Sequence, residues 1–391
     1  MASFIKSVER VTIALDDATN SSSNLTKSQT IADCVLFCSS ETDAADIVDG
    51  LTFDLKLESG TPDKVTATVD TSRYDHVINV WVVEFDTTLV EVTEYAISRT
   101  TTDSSDWATD ITASGLGATT EAFIVGPYAT CDNSSDNGDN NYLGARFTST
   151  TNVQITAGDP ANTSDRTGRF WVVAAQNSEF VVEHVSQVMS STSPVDVDVN
   201  AVTLARAMIL YTYETSNARD DAGDVTVAVS FLDFDTIRFD KAGSGFETTC
   251  YVQVISFESG TVFTQHGSWG WTSTNEAPTG GDQTLVTAVA DDRSMIVATL
   301  GAGAHMQTES TEASGDSYRS SRIWMNLKTA VANEWTEIEA SRNHDGAAMG
   351  GSTVTCPWQV VEWDLVTVGG GTNPKGVFGM PLDGPFRRVV Y

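Results

Sequence analysis

Two kinds of hydrophobic run alternate along the chain. The first is continuous and opens on a small residue: Asp33-Cys34-Val35-Leu36-Phe37, Glu121-Ala122-Phe123-Ile124-Val125, Arg206-Ala207-Met208-Ile209-Leu210 and Arg293-Ser294-Met295-Ile296-Val297. The second follows each copy of the first: Trp81-Val82-Val83-Glu84-Phe85-Asp86, Trp171-Val172-Val173-Ala174-Ala175-Gln176, Gln253-Val254-Ile255-Ser256-Phe257-Glu258 and Gln359-Val360-Val361-Glu362-Trp363-Asp364. Short runs of Val, Ile, Phe and Trp bounded by turn residues predict β-strands. Between them apolar residues fall at every second position, as in Leu51 to Leu57, Lys64 to Val69 and Asp224 to Ser230. That period gives a strand one buried and one wet face. Long stretches of helix formers are missing, whereas Ser, Thr, Asp and Val are abundant, which favours strands joined by polar turns.

The first pattern recurs at spacings of 88, 85 and 87 residues, and the second follows it by 47, 49, 46 and 65. A fixed period of this kind predicts repeated structural units, the fourth carrying an insertion. The expected fold is all-β: four tandem antiparallel β-sandwich modules, Ig-like or jelly-roll-like, with an extended C-terminal arm. Polar connecting segments place the modules at 1–99, 100–194, 195–275 and 276–368, with a hinge and arm at 369–391. A further strand after each second pattern (Leu89 to Val92, Phe180 to Glu183, Thr261 to Gln265) closes a module in this scheme, and Val8 to Ile13 is its N-terminal counterpart.

Charge narrows the function. Asp and Glu number 53 against 22 Lys and Arg, a net charge of −31 over 391 residues. Such a surface repels phosphate and argues against nucleic acid as a partner. No apolar run approaches the roughly 20 residues that span a bilayer, so no membrane insertion is expected. Only 7 of the bases are Lys, a balance suited to concentrated salt or divalent cations. The first ten residues lack the apolar core of a secretory signal, which predicts assembly in a host cytoplasm.

Candidate chemistry is sparse. His76, His184, His266, His305 and His344 form no metal or catalytic motif, and no nucleophile elbow accompanies them, so no enzymatic activity and no cofactor are expected. With 53 acids, suitably spaced carboxylate pairs carry no information. The exception is the loop after Cys131, where Asp132, Asp136 and Asp139 supply closely spaced oxygens and Gly138 permits a sharp turn. Calcium is the ion such a loop would take. Its spacing departs from the EF-hand pattern, and Asn/Asp/Ser/Gly runs also serve ordinary turns. Cys34 and Cys38, four residues apart on one strand face, lie roughly 13 Å from each other, too far for a disulfide. Cys250 and Cys356 occupy matching places and predict buried free thiols.

Two surfaces are candidates for contact with partners. Trp269 and Trp271, flanked by glycines, are expected in a loop and form a candidate receptor face. After Gly369-Gly370-Gly371, the final segment carries Lys375, Val377, Phe378, Phe386, Arg387, Arg388 and Tyr391, with Asp383 its single acid. Pro374, Pro381 and Pro385 favour an extended form, and its cations suit the acidic faces of sister copies, so an assembly arm is expected.

The alternation of the Arg293 to Val297 strand with strands such as Cys250 to Glu258 and Trp358 to Asp364 resembles the repeated β-modules of virion structural proteins of tailed viruses. The resemblance spans the four modules. It implies a tail, fibre or decoration component of a bacterial or archaeal virus, with other virion proteins and copies of itself as partners and a host surface receptor as target. The alternatives are a capsid decoration or turret protein and, in another class, a cellular adhesin or surface-layer protein.

Overall fold

A computed structural model describes residues 4–15, 19–42, 53–69, 76–99, 107–113, 116–132, 143–157, 165–215, 226–241, 247–258, 262–271, 281–290, 292–297, 324–331, 334–341 and 354–364. Among these residues the chain is all-β, without an α-helix, and its strands form eight three-stranded antiparallel sheets.

One pairing order recurs four times. The first six strands are β1 (Ile5–Leu15), β2 (Asn20–Asn24), β3 (Cys34–Thr42), β4 (Phe53–Glu58), β5 (Lys64–Val69) and β6 (His76–Phe85), and they pair as β1-β6-β3 and β2-β5-β4. The next six are β7 (Val90–Arg99), β8 (Trp107–Thr112), β9 (Ala122–Asp132), β10 (Gly144–Ser149), β11 (Asn152–Ala157) and β12 (Asp165–Ala175), paired as β7-β12-β9 and β10-β11-β8. The third set is β13 (Phe180–Met189), β14 (Val195–Asp198), β15 (Ala207–Thr215), β16 (Val227–Phe231), β17 (Thr236–Lys241) and β18 (Thr248–Phe257). The fourth is β19 (Val262–Trp271), β20 (Gln283–Ala290), β21 (Ser294–Val297), β22 (Trp324–Val331), β23 (Glu334–Ser341) and β24 (Val354–Trp363). Both sets repeat the same order.

In each set, strands one, six and three form an inner sheet, and strands two, five and four an outer one. The two sequence patterns are the third and sixth strands, which explains their continuity. The inner strands β6, β15 and β18 are buried along nearly their whole length, whereas β5 and β17 in outer sheets alternate strictly. A strand covered on both faces needs apolar residues at successive positions, and one covered on a single face needs them at every second. In the second set, Ile124 and Val172 of the inner sheet share a core with Val153 and Ile155 of the outer sheet. Their neighbours Phe123, Trp171 and Val173 face the other way, into a core shared with the first and fourth sets.

The pairing regroups the strands expected to end each module. Val90–Arg99 pairs along its length with Asp165–Ala175 and so opens the second set, and Phe180–Met189 and Val262–Trp271 open the third and fourth in the same way. Connections between sets therefore lie at 86–89, 176–179 and 258–261, one strand earlier than the boundaries read from the polar segments. A strand's own pattern of burial does not say on which side its partner lies.

The ends of the inner sheets converge on an aromatic hub. Phe4 lies 6.3 Å from Phe85, 6.2 Å from Phe180, 5.8 Å from Phe257 and 5.7 Å from Trp363 between ring centroids. Phe123 joins through Phe180 at 5.1 Å, so every set contributes a ring.

Candidate functional site

The sites with the most developed chemistry lie at the seams between successive sets. Trp81, Trp171, Gln253 and Gln359 open the second pattern at matching positions, and their cross-strand partners are Arg10, Glu94, His184 and His266. These residues face the preceding set.

Between the second and third sets, Gln253 meets an edge strand. The Ile124 N–H on β9 donates to Gln253 Oε1 at 2.7 Å, and Gln253 Nε2 donates to the Ile124 carbonyl at 2.9 Å. One side-chain amide, carrying both a donor and an acceptor, thus supplies the outer partner that an edge strand lacks. Nearby, the Ala145 N–H on β10 donates to Thr212 Oγ1 at 2.8 Å. Arg146 lies 4.8 Å above the Tyr251 ring and donates to its hydroxyl at 3.0 Å. The close approach requires Gly144, because a Cβ there would sit 2.5 Å from a Tyr251 ring carbon.

The seam between the third and fourth sets repeats the amide contact. Ile209 N–H donates to Gln359 Oε1 at 2.7 Å, and Gln359 Nε2 donates to the Ile209 carbonyl at 2.8 Å. The histidines repeat too. His184 Nε2 lies 2.8 Å from the Thr119 carbonyl with its ring edge-on to Phe147, and His266 Nε2 lies 2.9 Å from the Leu204 carbonyl, edge-on to Phe231. Burial holds both imidazoles below their ordinary pKa, outweighing carbonyls of Thr119, Ala122, Leu204 and Ala207 that favour the proton.

At the first seam, Tyr128 replaces the amide, its hydroxyl donating to the Leu36 carbonyl at 3.1 Å. Arg169 grips Asp54 of the first set with both Nε and Nη2, each at 2.8 Å. The fourth seam joins the last set to the first. Asn79 Nδ2 donates to the Met325 carbonyl at 2.8 Å, and the Met325 N–H donates to Ser39 Oγ at 3.1 Å. Arg10 sits 4.9 Å over Trp335 and donates to Asn326 Oδ1 and to the Leu327 carbonyl. Four head-to-tail seams therefore close the chain into a ring.

No protein-family model and no curated protein matches this chain.

The residues singled out in the sequence fare differently. Trp269 is not on an exposed loop: it lies in β19, is 1 % exposed and packs 6.0 Å from Trp358. Flanking glycines suggested a turn there, but the strand is held by pairing with β24. Trp271 ends the same strand, with its side chain outside the described residues. Asp132 ends β9 opposite Asp165, and Asp136 and Asp139 lie outside the described residues. So do Lys375, Val377, Phe378, Phe386, Arg387, Arg388 and Tyr391. Among the described residues no group of three or more His, Cys, Asp or Glu is placed to hold a metal. Cys34, Cys38, Cys250 and Cys356 are buried and form no disulfide, and burial pushes the thiols of Cys250 and Cys356 well up, which leaves them protonated and unreactive. Gln253 and Gln359 stood out in the sequence as repeat markers, and their place at a seam is what the structure adds.

Proposed function

We propose that the chain is a non-enzymatic structural protein of a tailed-virus particle, a tail- or fibre-associated component whose four β-sandwich modules form a rigid body for assembly and host attachment. The observation that carries this reading is a polarity in the connections. At the hub the links between sets are short, at 86–89, 176–179 and 258–261. At the other end of the inner sheets, Leu15 and Thr42 are level with His76, and Met189 and Thr215 with Thr248. From that end leave the connections between third and fourth strands at 43–52, 133–143 and 216–226, each 10 or 11 residues long, whereas the fourth, at 298–323, has 26. A fixed core with its longer connections gathered at one end, one of them enlarged, is the arrangement that attachment proteins use for recognition.

In this reading the basic segment with Lys375, Arg387 and Arg388 docks on acidic sister copies, and calcium at Asp132, Asp136 and Asp139 steadies one displayed loop. The net charge of −31 keeps the body away from packaged nucleic acid. Immunogold labelling and mass spectrometry of particles released by cells carrying the gene test the proposal. Label at the tail or its fibres is expected, label over the capsid assigns a decoration role instead, and absence from purified particles overturns the reading. Deleting residues 373–391 should leave a folded monomer that no longer incorporates.

A further inference from the structure

One turn at the hub end differs from its counterparts. β15 runs away from the hub and β16 returns toward it, so the turn between β16 and β17, Leu232-Asp233-Phe234-Asp235, lies at the hub end. Its backbone is built without help from its apolar side chains. The Leu232 N–H donates to the Thr236 carbonyl at 2.9 Å, and the Asp235 N–H donates to Asp233 Oδ1 at 3.1 Å. The Val199 and Val202 N–H groups donate to the Asp235 and Phe234 carbonyls, each at 2.8 Å. Yet Leu232 is 47 % exposed and Phe234 53 %. The matching turns, Ser59-Gly60-Thr61-Pro62-Asp63 and Thr150-Thr151, hold no leucine and no aromatic ring. Single apolar side chains in water are ordinary, whereas two on one short turn, missing from its equivalents, mark a contact surface.

Charge narrows the partner. Asp233 and Asp235 flank Phe234, and Asp198 stands opposite Thr236 on the neighbouring strand. Among the described residues none of these three is ion-paired, and Arg238 of the same sheet is held by both oxygens of Asp196. The hydrogen bond between the Asp233 and Asp235 carboxyls raises the pKa of Asp235, and the charge of Asp233 adds to the effect. A cation beside the pair would relieve this repulsion. The tip therefore calls for a partner that brings positive charge and aromatic or aliphatic surface together.

Phe386-Arg387-Arg388-Val389-Val390-Tyr391 has both properties, and the chain that carries it starts from the same end. Trp363 lies in the hub, 5.7 Å from Phe4, so the sequence after Asp364 departs there. Between 365 and 391 the bases are Lys375, Arg387 and Arg388, against Asp383 as the one acid. The 21 residues from 365 to 385 can span up to about 70 Å, roughly twice the length of a ten-residue strand, so the segment can pass beyond its own body. We propose that the turn at 232–235 receives the segment 386–391 of a second copy, with Arg387 and Arg388 meeting the aspartates and Phe386 covering Leu232 and Phe234. Because segment and turn belong to the same end, two copies that meet there exchange segments reciprocally about a two-fold axis, and their opposite ends stay free. The proposal rests on the reading of 373–391 as an assembly arm and gives that arm a site.

Photocrosslinking tests it, with benzoylphenylalanine in place of Phe234 in an equal mixture of light- and heavy-nitrogen full-length chains. Crosslinked peptides should join position 234 of one label to residues 385–391 of the other. In sedimentation, the paired change Leu232→Ser and Phe234→Ser should weaken self-association about tenfold or more, with the melting temperature unchanged because both side chains are exposed. Arg387→Asp with Arg388→Asp should do the same, and adding Asp233→Arg with Asp235→Arg should restore association. Crosslinks confined to a single label, crosslinks to another part of the chain, or undiminished association in the serine variant would overturn the inference. Incorporation into particles separates the site from the arm. If deleting 373–391 blocks incorporation while the crosslink is missing, the site is wrong and the arm stands; if the deleted chain incorporates, both fall.

Discussion

The side-chain amide of Gln253 spans both backbone groups of Ile124, 129 residues away in sequence, at 2.7 and 2.9 Å. Gln359 holds Ile209 in the same manner across the next seam. Both contacts are buried, so neither backbone group has water as a substitute partner.

Gln253→Ala should therefore cost about 2–4 kcal/mol in urea unfolding, since it strands a buried N–H and a buried C=O together. Gln359→Ala should match it closely, because the geometry is the same. Gln253→Glu should do no better than alanine, as its carboxylate cannot donate to the Ile124 carbonyl. A loss below roughly 0.5 kcal/mol, the size of a neutral surface change, would show that the amides are incidental.

Two arginine–carboxylate forks offer a comparison of burial. Arg169 and Asp54 have side chains only 14 % and 11 % exposed, whereas Arg238 and Asp196 are 35 % and 41 % exposed with a similar bidentate geometry. A double-mutant cycle should give a coupling of about 1–3 kcal/mol for the seam pair, little changed by salt. The exposed pair should couple more weakly and fade as salt is added. Equal couplings would show that burial at the first seam adds nothing to the pair.

The seam histidines give stability a pH dependence of definite sign. Burial lowers the pKa of His184 and His266 in the folded chain, so the unfolded chain binds protons more readily. Their contribution is complete above the ordinary imidazole value of about 6.5 and is lost as pH falls through that value toward the folded one. Between about pH 6.5 and 5, above the main carboxylate range, denaturation midpoints should fall with pH. Replacing both histidines with glutamine should flatten this slope. A double variant with the parent's slope would place the titrating groups elsewhere.

Screening of a net charge of −31 should raise the melting temperature as monovalent salt is added. Calcium is distinguished at constant ionic strength. A saturable further rise, lost in Asp136→Ala, is what binding in the loop after Cys131 requires. Equal melting temperatures in EDTA and calcium would leave only screening.

Much of the fold was legible because burial writes itself into local pattern. Val35-Leu36-Phe37 and Met208-Ile209-Leu210 are unbroken since both faces of their sheets are covered, and Lys64 to Val69 alternates since one face is wet. What no local pattern holds is the choice of neighbour. Leu89 to Val92 reads equally well as the last strand of one set or the first of the next, and only pairing with Asp165–Ala175 decides it. The seams were hidden for the same reason, because Gln253 and Ile124 are brought together only by the packing of one set on the next. Trp269 was misplaced because adjacent glycines outweighed its neighbours in a local reading, although the strand carries them without a turn.

Carrying the ring within one polypeptide frees its symmetry to be broken. In a tetramer of identical subunits, exchanging Tyr251 and Arg146 for proline and serine would loosen every contact at once. Here Pro357 and Ser230 stand in those places at one junction, while amide, fork and cation–π contacts hold the remaining three. A single chain thus lets one boundary differ from the others while the closed assembly keeps its integrity.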